Sequence, residues 1–272
     1  MSGELKECCV SGHIHSGTPG GQATTVYGLP TYIANPKGGS KEKTVMIIPD
    51  IFGWETTNIR LVADEWAAKG YRTLIPDIFA GDSVPLDLLT TIPNLRDREK
   101  KTLADKAIDT VKLGATFGPW TFTHRDSVIL PIINDYLKAV RADPEVKKIV
   151  AVGFCFGGRH AILAADKDGV IDAAVAYHPS QVSVPSEINA IMKPTFIAVG
   201  DEDDMVPMSQ VEQIKQIIQE RKETNHSEGL DLKLYHKAVH GFAVRGDLTD
   251  DHELKTKEDA FKDALEFLDK VL

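Results

Sequence analysis

The sequence has few cysteines, few aromatic residues and no long apolar segment. Three cysteines in 272 residues are too few and too unevenly placed for a disulfide framework, so we expect a reducing compartment. No apolar run is long enough to span a bilayer, and the first residues lack the basic and then apolar pattern of a secretory signal. Acidic residues outnumber basic residues by 40 to 31, and the net charge of −9 disfavours nucleic acid as a partner. These absences predict a cytoplasmic protein that binds neither membrane nor nucleic acid.

Segments of strand character alternate with segments of helical character along most of the chain. The predicted strands are 24–33, 44–48, 72–75, 149–152, 173–177, 195–199 and 231–236. The predicted helices are 58–69, 97–113, 126–141, 157–165, 209–222 and 253–271. Such alternation is typical of an α/β protein with a mostly parallel central sheet and helices on both faces. We expect one domain over residues 1–272, with 1–22 as an N-terminal extension and 81–123 as a candidate lid.

The clearest chemical signal lies at the end of the predicted strand 149–152. The apolar run there continues into Gly153-Phe154-Cys155-Phe156-Gly157-Gly158, and a helix-forming segment follows. This is the outline of a nucleophile elbow with cysteine where serine is usual. A Cβ at Gly153 or Gly157 would collide with neighbouring backbone in so tight a turn. The pattern predicts that Cys155 is a nucleophile that reacts as a thiolate.

An acid and a histidine follow two later predicted strands. Asp203 comes after 195–199 and His240 comes after 231–236. The chain order of nucleophile, acid and histidine is that of α/β-hydrolases, and parallel strands deliver their carboxyl ends to one edge of the sheet. We predict that His240 exchanges a proton with Cys155 and that Asp203 orients the imidazole. The neighbouring alternatives are Asp201, Glu202 and Asp204 for the acid, and His236 for the histidine.

Several further residues are candidates for the oxyanion hole and the substrate pocket. The backbone N–H groups of Phe156, at a helix start, and of Ile51, after the strand 44–48, are the predicted oxyanion donors. Asp50, beside Ile51, is a candidate for tuning the thiol. Arg245 either binds an anionic group of the substrate or pairs with an acid. The aromatic side chains that either line the pocket or belong to the core are Trp54, Phe122 and Phe242.

These motifs together resemble the dienelactone hydrolase family. The matching segments are Pro49-Asp50-Ile51-Phe52-Gly53, Pro76-Asp77-Ile78-Phe79, Gly153 to Gly158, Gly200-Asp201-Glu202-Asp203 with Val206-Pro207, and His240-Gly241-Phe242-Ala243. The N-terminal Cys8-Cys9-Val10-Ser11-Gly12 is similar to the fungal branch of the family. The resemblance implies the α/β-hydrolase fold, a triad of Cys155, Asp203 and His240, and hydrolysis of an ester or lactone.

Three positions depart from the bacterial pattern of that family. Asp50 stands where a glutamate helps to generate the thiolate, and Gly81 stands where an arginine grips the substrate. Arg245 is displaced by one position from the arginine that follows the histidine. The resemblance therefore implies fold and hydrolytic chemistry more strongly than it implies dienelactone as the substrate.

The predicted function is a hydrolase of a small ester, lactone or related acyl substrate that forms a thioacyl-enzyme, as a monomer or weak homodimer. No cofactor is expected. No metal is expected either, because the adjacent Cys8 and Cys9, with His13 and His15 nearby, lack the ligand spacing of a zinc site. Two alternatives remain open. One is a non-catalytic binding or regulatory protein with an α/β-hydrolase-like fold, and the other is a thiol redox protein that uses Cys8, Cys9 and Cys155.

Overall fold

A single eight-stranded sheet organises the protein. The computed structural model describes residues 7–89, 102, 114–115, 117–166, 168–224 and 229–272. Its strands are β1 (Gln22–Val26), β2 (Leu29–Ala34), β3 (Lys43–Ile48), β4 (Arg72–Pro76), β5 (Lys148–Phe154), β6 (Ala173–Tyr177), β7 (Thr195–Glu202) and β8 (Leu230–Val239). Their spatial order is β1-β2-β4-β3-β5-β6-β7-β8. Only the β1–β2 and β2–β4 pairs are antiparallel, so the predicted mostly parallel sheet is confirmed.

Helices follow most of the parallel strands. They are α1 (Thr57–Ala68), α2 (Asp126–Ala142), α3 (Phe156–Ala164), α4 (Ser186–Asn189), α5 (Met208–Glu223), α6 (Phe242–Arg245) and α7 (Asp251–Val271). Residues 117–123 are also helical, and Glu7–Val10 and Leu86–Leu88 form single 3₁₀ turns. The predicted helix 97–113, apart from residue 102, lies outside the described residues, as does most of the candidate lid. Within the described residues, no helix is both long enough and apolar enough to cross a membrane.

Two apolar cores lie on opposite faces of the sheet. In β3, Val45 and Ile47 belong to one core, whereas Met46 and Ile48 belong to the other. This division follows because successive side chains of a strand face opposite sides. Residues of α1 and α7 complete the first core, and residues of α2, α3 and α5 complete the second. The predicted placement of helices on both faces is therefore confirmed, and the sheet is held rigidly between them.

The predicted strand 24–33 was wrong in one respect, because it is a hairpin of two strands. Tyr27 and Gly28 turn the chain between β1 and β2, with φ of 53° and 88°. A two-residue hairpin turn of this kind requires positive φ at both positions, for which Asn-Gly is the usual signal. Tyrosine seldom adopts positive φ, so no local pattern indicated a turn at this point.

Candidate active site

The elbow at Cys155 has the backbone geometry that its glycines predict. Cys155 connects β5 to α3 with φ of 53° and ψ of −112°, a conformation that L residues rarely adopt. A Cβ on Gly157 would lie 1.9 Å from the carbonyl oxygen of Ile48, and one on Gly153 would lie 2.0 Å from the carbonyl oxygen of Gly157. Side chains cannot approach backbone so closely, so the structure confirms that both positions require glycine. The close approach also places the start of α3 against the end of β3.

Hydrogen bonds from the next strand hold the elbow in this conformation. The N–H of Cys155 donates to the carbonyl oxygen of Tyr177, at 3.1 Å. The carbonyl oxygen of Cys155 accepts from the N–H groups of Gly158 and Ser180, each at 3.0 Å. The strained residue is therefore fixed by its own helix and by the end of β6, which keeps the position of its sulfur constant.

Asp203 and His240 meet at the carboxyl ends of β7 and β8. The two strands approach so closely that a Cβ on Gly200 would lie 2.0 Å from the carbonyl oxygen of Ala238. Beyond this point Nδ1 of His240 lies 3.0 Å from each carboxylate oxygen of Asp203. Both side chains are fully buried. This geometry assigns the proton on Nδ1 to the hydrogen bond with Asp203 and leaves Nε2 of His240 as a base.

The two nearest alternatives form a separate pair at the surface. Nδ1 of His236 lies 2.8 Å from a carboxylate oxygen of Asp201. The side chain of His236 is 77% exposed, whereas that of His240 is fully buried. β8 ends at Val239, so His236 lies within the strand and His240 lies just beyond it, and an irregularity in the β7–β8 pairing, with a positive φ of 53° at Lys237, separates the two residues. The exposed pair of Asp201 and His236 therefore serves as an internal control for the buried pair of Asp203 and His240.

The sulfur of Cys155 lies close to the imidazole of His240. These two residues, together with Cys9, place one ligand atom each within 4.8 Å of one another. Among the described residues, Nε2 of His240 has no hydrogen-bond partner. The structure thus brings Cys155, Asp203 and His240 together at one edge of the sheet, although they lie far apart in the sequence.

Asp50 and Arg245 form a buried ion pair beside this group. Nη1 of Arg245 donates to Asp50, and Nε donates to the carbonyl oxygen of Ser11, at 3.0 Å. The other oxygen of Asp50 accepts from the N–H of Phe52, at 3.0 Å. This bond fixes the turn that contains Ile51, whose side chain is completely buried. Arg245 is therefore paired with an acid, and that acid shapes the loop of the predicted oxyanion donor.

The match to known proteins agrees with this arrangement. The sequence model named Dienelactone hydrolase family matches residues 29–272. This protein belongs to the dienelactone hydrolase family. It is 31% identical to Hydrolase tropI of Talaromyces stipitatus over 98% of this chain and 96% of the relative. It is 28% identical to a carboxymethylenebutenolidase homolog of Xenopus tropicalis, over 97% of this chain and 96% of the relative.

A solved structure shows the same fold. A protein of Klebsiella pneumoniae, provisionally named a dienelactone hydrolase, superimposes with a TM-score of 0.65 and 18% sequence identity. The match covers 90% of this chain and 96% of that chain. Together with the family match, this likeness shows that the chain is a hydrolase with the α/β-hydrolase fold.

In this member of the dienelactone hydrolase family the N-terminal segment, residues 7–15, packs against the active-site loops. The N–H of His13 donates to the carbonyl oxygen of Arg245, at 2.8 Å. Nδ2 of Asn58 donates to the carbonyl oxygen of His13, at 2.8 Å, while its oxygen accepts from the N–H of His15, at 2.9 Å. These bonds tie the segment both to α6 and to the start of α1. Cys9 reaches the site from this segment.

Cys9 is the site residue that the sequence prediction did not assign. Its side chain is completely buried, and its sulfur belongs to the cluster with Cys155 and His240. Within the part of the chain that the structure describes, Cys8, His13 and His15 do not join that cluster. The adjacent cysteines were the available sequence signal, but only the fold shows which of the two faces the active site.

Burial and neighbouring charges set the ionisation of the site. Burial raises the pKa of the Cys155 thiol well above its ordinary value, Cys9 raises it further, and His240 opposes the rise. Burial lowers the pKa of His240, but the charges of Asp203 and Cys155 outweigh it and raise that pKa well above its ordinary value. A positive charge on His240 and a negative charge on Cys155 would stabilise each other, whereas burial opposes both charges.

A second histidine lies against the first. The rings of His178 and His240 are 5.1 Å apart, and both ring nitrogens of His178 lack a partner among the described residues. Burial lowers the pKa of His178 well below its ordinary value, and the charges of His240 and Arg245 lower it further. His178 therefore stays uncharged beside His240.

The predicted aromatic pocket residues occupy different places. Phe242 is buried with its ring 5.5 Å from that of His178, so it borders the site. Trp54 is partly buried and lies under the guanidinium of Arg60, at 5.0 Å. Phe122 is 70% exposed.

A cavity of about 100 Å³ lies beside the ion pair. Its lining residues are Ile14, Asp50, Phe52, Glu55, Thr56, Thr57, Asn58, Leu86, Leu89, Val244 and Arg245. Cys155 is completely buried and does not line this cavity. The sulfur of Cys155 is therefore enclosed in this conformation.

Proposed function

We propose that this hydrolase cleaves a carboxylic ester or lactone through a triad of Cys155, His240 and Asp203. The observation that carries the proposal is the buried pair of Asp203 and His240, whose Nδ1–carboxylate distances are 3.0 Å. The pair leaves Nε2 of His240 beside a cysteine that the elbow holds in a fixed, strained position. A nucleophile, a base and a residue that orients the base are the parts that acyl transfer needs.

The reaction follows in two half-reactions. Nε2 of His240 takes the proton from Cys155, and the sulfur attacks the carbonyl carbon of the substrate. The tetrahedral intermediate collapses, its carbon–oxygen bond breaks, and the leaving oxygen takes the proton from His240. Water then gives a proton to His240 and attacks the thioester carbon. The carbon–sulfur bond breaks, and Cys155 recovers its proton as the acid product leaves.

The oxyanion of both intermediates needs donors that are already in place. We propose the backbone N–H groups of Ile51 and Phe156, one on each of the loops that meet above β3 and β5. The contact between Gly157 and the carbonyl oxygen of Ile48 holds these two loops together. Since Cys155 is completely buried, the substrate must enter through a local opening, and we propose that the cavity beside Asp50 and Arg245 receives it.

The substrate class follows from family membership and from the site. Relatives carry the names dienlactone hydrolase and carboxymethylenebutenolidase homolog, and we propose an ester or lactone carbonyl for this chain also. Arg245 is occupied by Asp50, and Gly81 has no side chain, so neither offers a free cation for a substrate carboxylate. We therefore propose that simple aryl esters and neutral lactones are hydrolysed better than dienelactone. A cytoplasmic location, where Cys155 stays reduced, and a monomeric or weakly dimeric state remain part of the proposal.

The decisive test compares Cys155→Ala and Cys155→Ser with the wild type on aryl esters and lactones. Cys155→Ala should abolish turnover, and mass spectrometry of the wild type with a slow aryl ester should show one acyl group on Cys155. Retained turnover in Cys155→Ala would rule out the covalent mechanism. Stoichiometric binding of the ester without any acylation would favour the non-catalytic alternative.

The exposed pair supplies the matched control for the triad. Asp203→Asn should lower kcat by about 10²- to 10⁴-fold, because the imidazole loses the group that orients it. Asp201→Asn makes the same chemical change to the pair with His236 and should leave kcat close to that of the wild type. Equal losses in the two variants would contradict the assignment of Asp203.

A further inference from the structure

Cys9, Cys155 and His240 form a compact set of soft ligands inside the protein. One ligand atom of each lies within 4.8 Å of the other two. The three residues are 0%, 0% and 2% exposed. The hydrolytic reaction uses Cys155 and His240 but gives no role to Cys9, so the presence of a second buried sulfur at this point calls for a separate explanation.

We propose that Cys9, Cys155 and His240 form a binding site for a soft divalent metal ion, with Zn²⁺ as the reference ion, and that occupancy switches the hydrolase off. Two thiolates and one imidazole with a fourth position left for water match the ligands and geometry that Zn²⁺ favours. Zn–S bonds of about 2.3 Å in a tetrahedral site place two sulfurs about 3.8 Å apart. The two sulfurs, which lie within 4.8 Å of each other, therefore need to approach by about 1 Å at most.

Asp203 prepares the imidazole for this role. Its carboxylate holds Nδ1 of His240 at 3.0 Å, so the lone pair of Nε2 is directed away from Asp203. Nε2 is buried and has no other partner in the described part of the chain. A carboxylate behind a metal-binding histidine fixes its tautomer and raises its basicity. The arrangement that orients a catalytic base therefore also orients a metal ligand.

The charges are compatible with a buried ion. Two thiolates and one divalent cation are neutral together, so the loaded site avoids the desolvation that raises the pKa of the free Cys155 thiol. Arg245 would repel a cation, but its charge is balanced by the buried ion pair with Asp50. A small surface pocket, whose lining includes Ser11, His13, His240 and Arg245, is the entry route that this proposal implies for the ion.

Occupancy would block the reaction that the proposed triad performs. Coordination takes the lone pair of Nε2 and the nucleophilic electrons of Cys155, so neither proton transfer nor attack can occur. It would also join the N-terminal segment to the catalytic loop through Cys9. This consequence rests on the proposed function, whereas the binding of the ion depends only on the geometry of the three ligands.

The first experiment measures binding without activity. The metal-free full-length protein is kept reduced with a phosphine and titrated with Cd²⁺, and thiolate-to-metal absorption in the ultraviolet is recorded. We expect one ion per chain with absorption from two thiolates. Cys9→Ala should lose about half of that absorption. The affinity of Cys9→Ala for Cd²⁺ should fall by at least about 100-fold, because this variant loses a metal ligand. Loss of a residue that only hydrogen-bonds to a ligand already weakens metal sites by about 10- to 100-fold.

Cys8→Ala is the matched control, because Cys8 is also buried and adjacent in sequence but lies outside the cluster. It should bind Cd²⁺ as the wild type does. Asp203→Asn should keep the absorption and lose about 10- to 100-fold in affinity. Equal binding by Cys9→Ala and the wild type, or no thiolate absorption in either, would overturn the proposal.

The second experiment measures inhibition by Zn²⁺ of aryl-ester hydrolysis, each variant being compared with its own zinc-free rate. The inhibitory concentration should be the same for the wild type and Cys8→Ala, and at least about 100-fold higher for Cys9→Ala.

The two proposals fail separately. A chain that shows the two-thiolate absorption but hydrolyses no ester keeps the metal site and loses the triad mechanism. An active chain without that absorption keeps the triad and loses the metal site. A Cys9–Cys155 disulfide, formed by oxidation in air, would appear as the loss of two hydrogen atoms in mass before the phosphine is added. It would contradict the inference if zinc had no effect on the reduced protein.

Discussion

The buried pair of Asp50 and Arg245 makes a strong prediction about stability. The two residues are 3% and 2% exposed, and Nη2 of Arg245 has no partner in the described part of the chain. Asp50→Asn would leave the guanidinium enclosed with its charge uncompensated. Breaking a buried ion pair by removing one partner costs about 3–5 kcal/mol. The same change would weaken the turn at Phe52, where the carboxylate accepts a backbone N–H at 3.0 Å.

This free energy converts into a measurable change in melting temperature. For chains of this size 1 kcal/mol corresponds to about 2 °C in Tm, so Asp50→Asn should lower Tm by roughly 6–10 °C. Arg245→Met alone should also destabilise, because it leaves Asp50 unpaired. The double variant should be more stable than Asp50→Asn, because neither charge is then buried alone. Calorimetry of the four proteins at about pH 7 gives the coupling free energy directly.

A surface ion pair provides the comparison. Lys255 and Asp259 lie 2.9 Å apart on α7, with side chains 73% and 47% exposed. Asp259→Asn makes the same chemical change there and should scarcely alter Tm, because exposed pairs are well screened by water. If Asp50→Asn lowers Tm by no more than Asp259→Asn does, or if the two changes at Asp50 and Arg245 are simply additive, the reasoning is refuted.

Two further predictions concern the elbow and the N-terminal segment. Gly157→Ala places a Cβ 1.9 Å from the carbonyl oxygen of Ile48 and should destabilise the fold by about 3 kcal/mol. Gly118→Ala, in an open and exposed helical position, should be neutral or stabilising. Equal shifts of Tm for the two variants, measured by calorimetry without urea, would contradict this. Burial lowers the pKa of His15 below its ordinary value of 6.5, so the unfolded chain binds a proton there that the folded chain refuses, and stability should be lost as pH falls below about 6.5. His15→Gln should therefore flatten the fall of Tm between about pH 7 and about pH 5, and an unchanged slope would count against the buried, neutral imidazole.

Local patterns in the sequence were sufficient for most of the fold. The apolar run 149–152 and the glycines after it predicted the strand, the turn at Cys155 and the helix, because each follows from residues adjacent in the chain. The prediction failed at Tyr27 and Gly28, where a tyrosine adopts positive φ and turns one expected strand into a hairpin. That conformation is imposed by the pairing of β1 with β2, which no short window reveals.

The candidate site was predictable only in part. His240 could be selected because it follows a strand, and strands of a parallel sheet end at a common edge. Asp203 was distinguished from its acidic neighbours only by the resemblance to the family, with Val206-Pro207 following it. The pairing of Asp201 with His236 could not be foreseen, since it depends on the irregular pairing near the ends of β7 and β8, which no local pattern shows. The ion pair of Arg245 with Asp50 could not be foreseen either. The two residues are distant in sequence and meet only where α6 packs against the loop beyond β3.

The sequence by itself determined the alternation of strands and helices, the order of Cys155, Asp203 and His240, and the glycines that a sharp turn demands. These are local properties, set by the size, polarity and backbone freedom of neighbouring residues. Only the tertiary structure decided that Cys9 rather than Cys8 lies beside Cys155, that His178 packs against His240, and that the sulfur is enclosed. Such contacts join segments whose relative positions are fixed by the packing of the whole sheet and its helices, and no single segment contains that information.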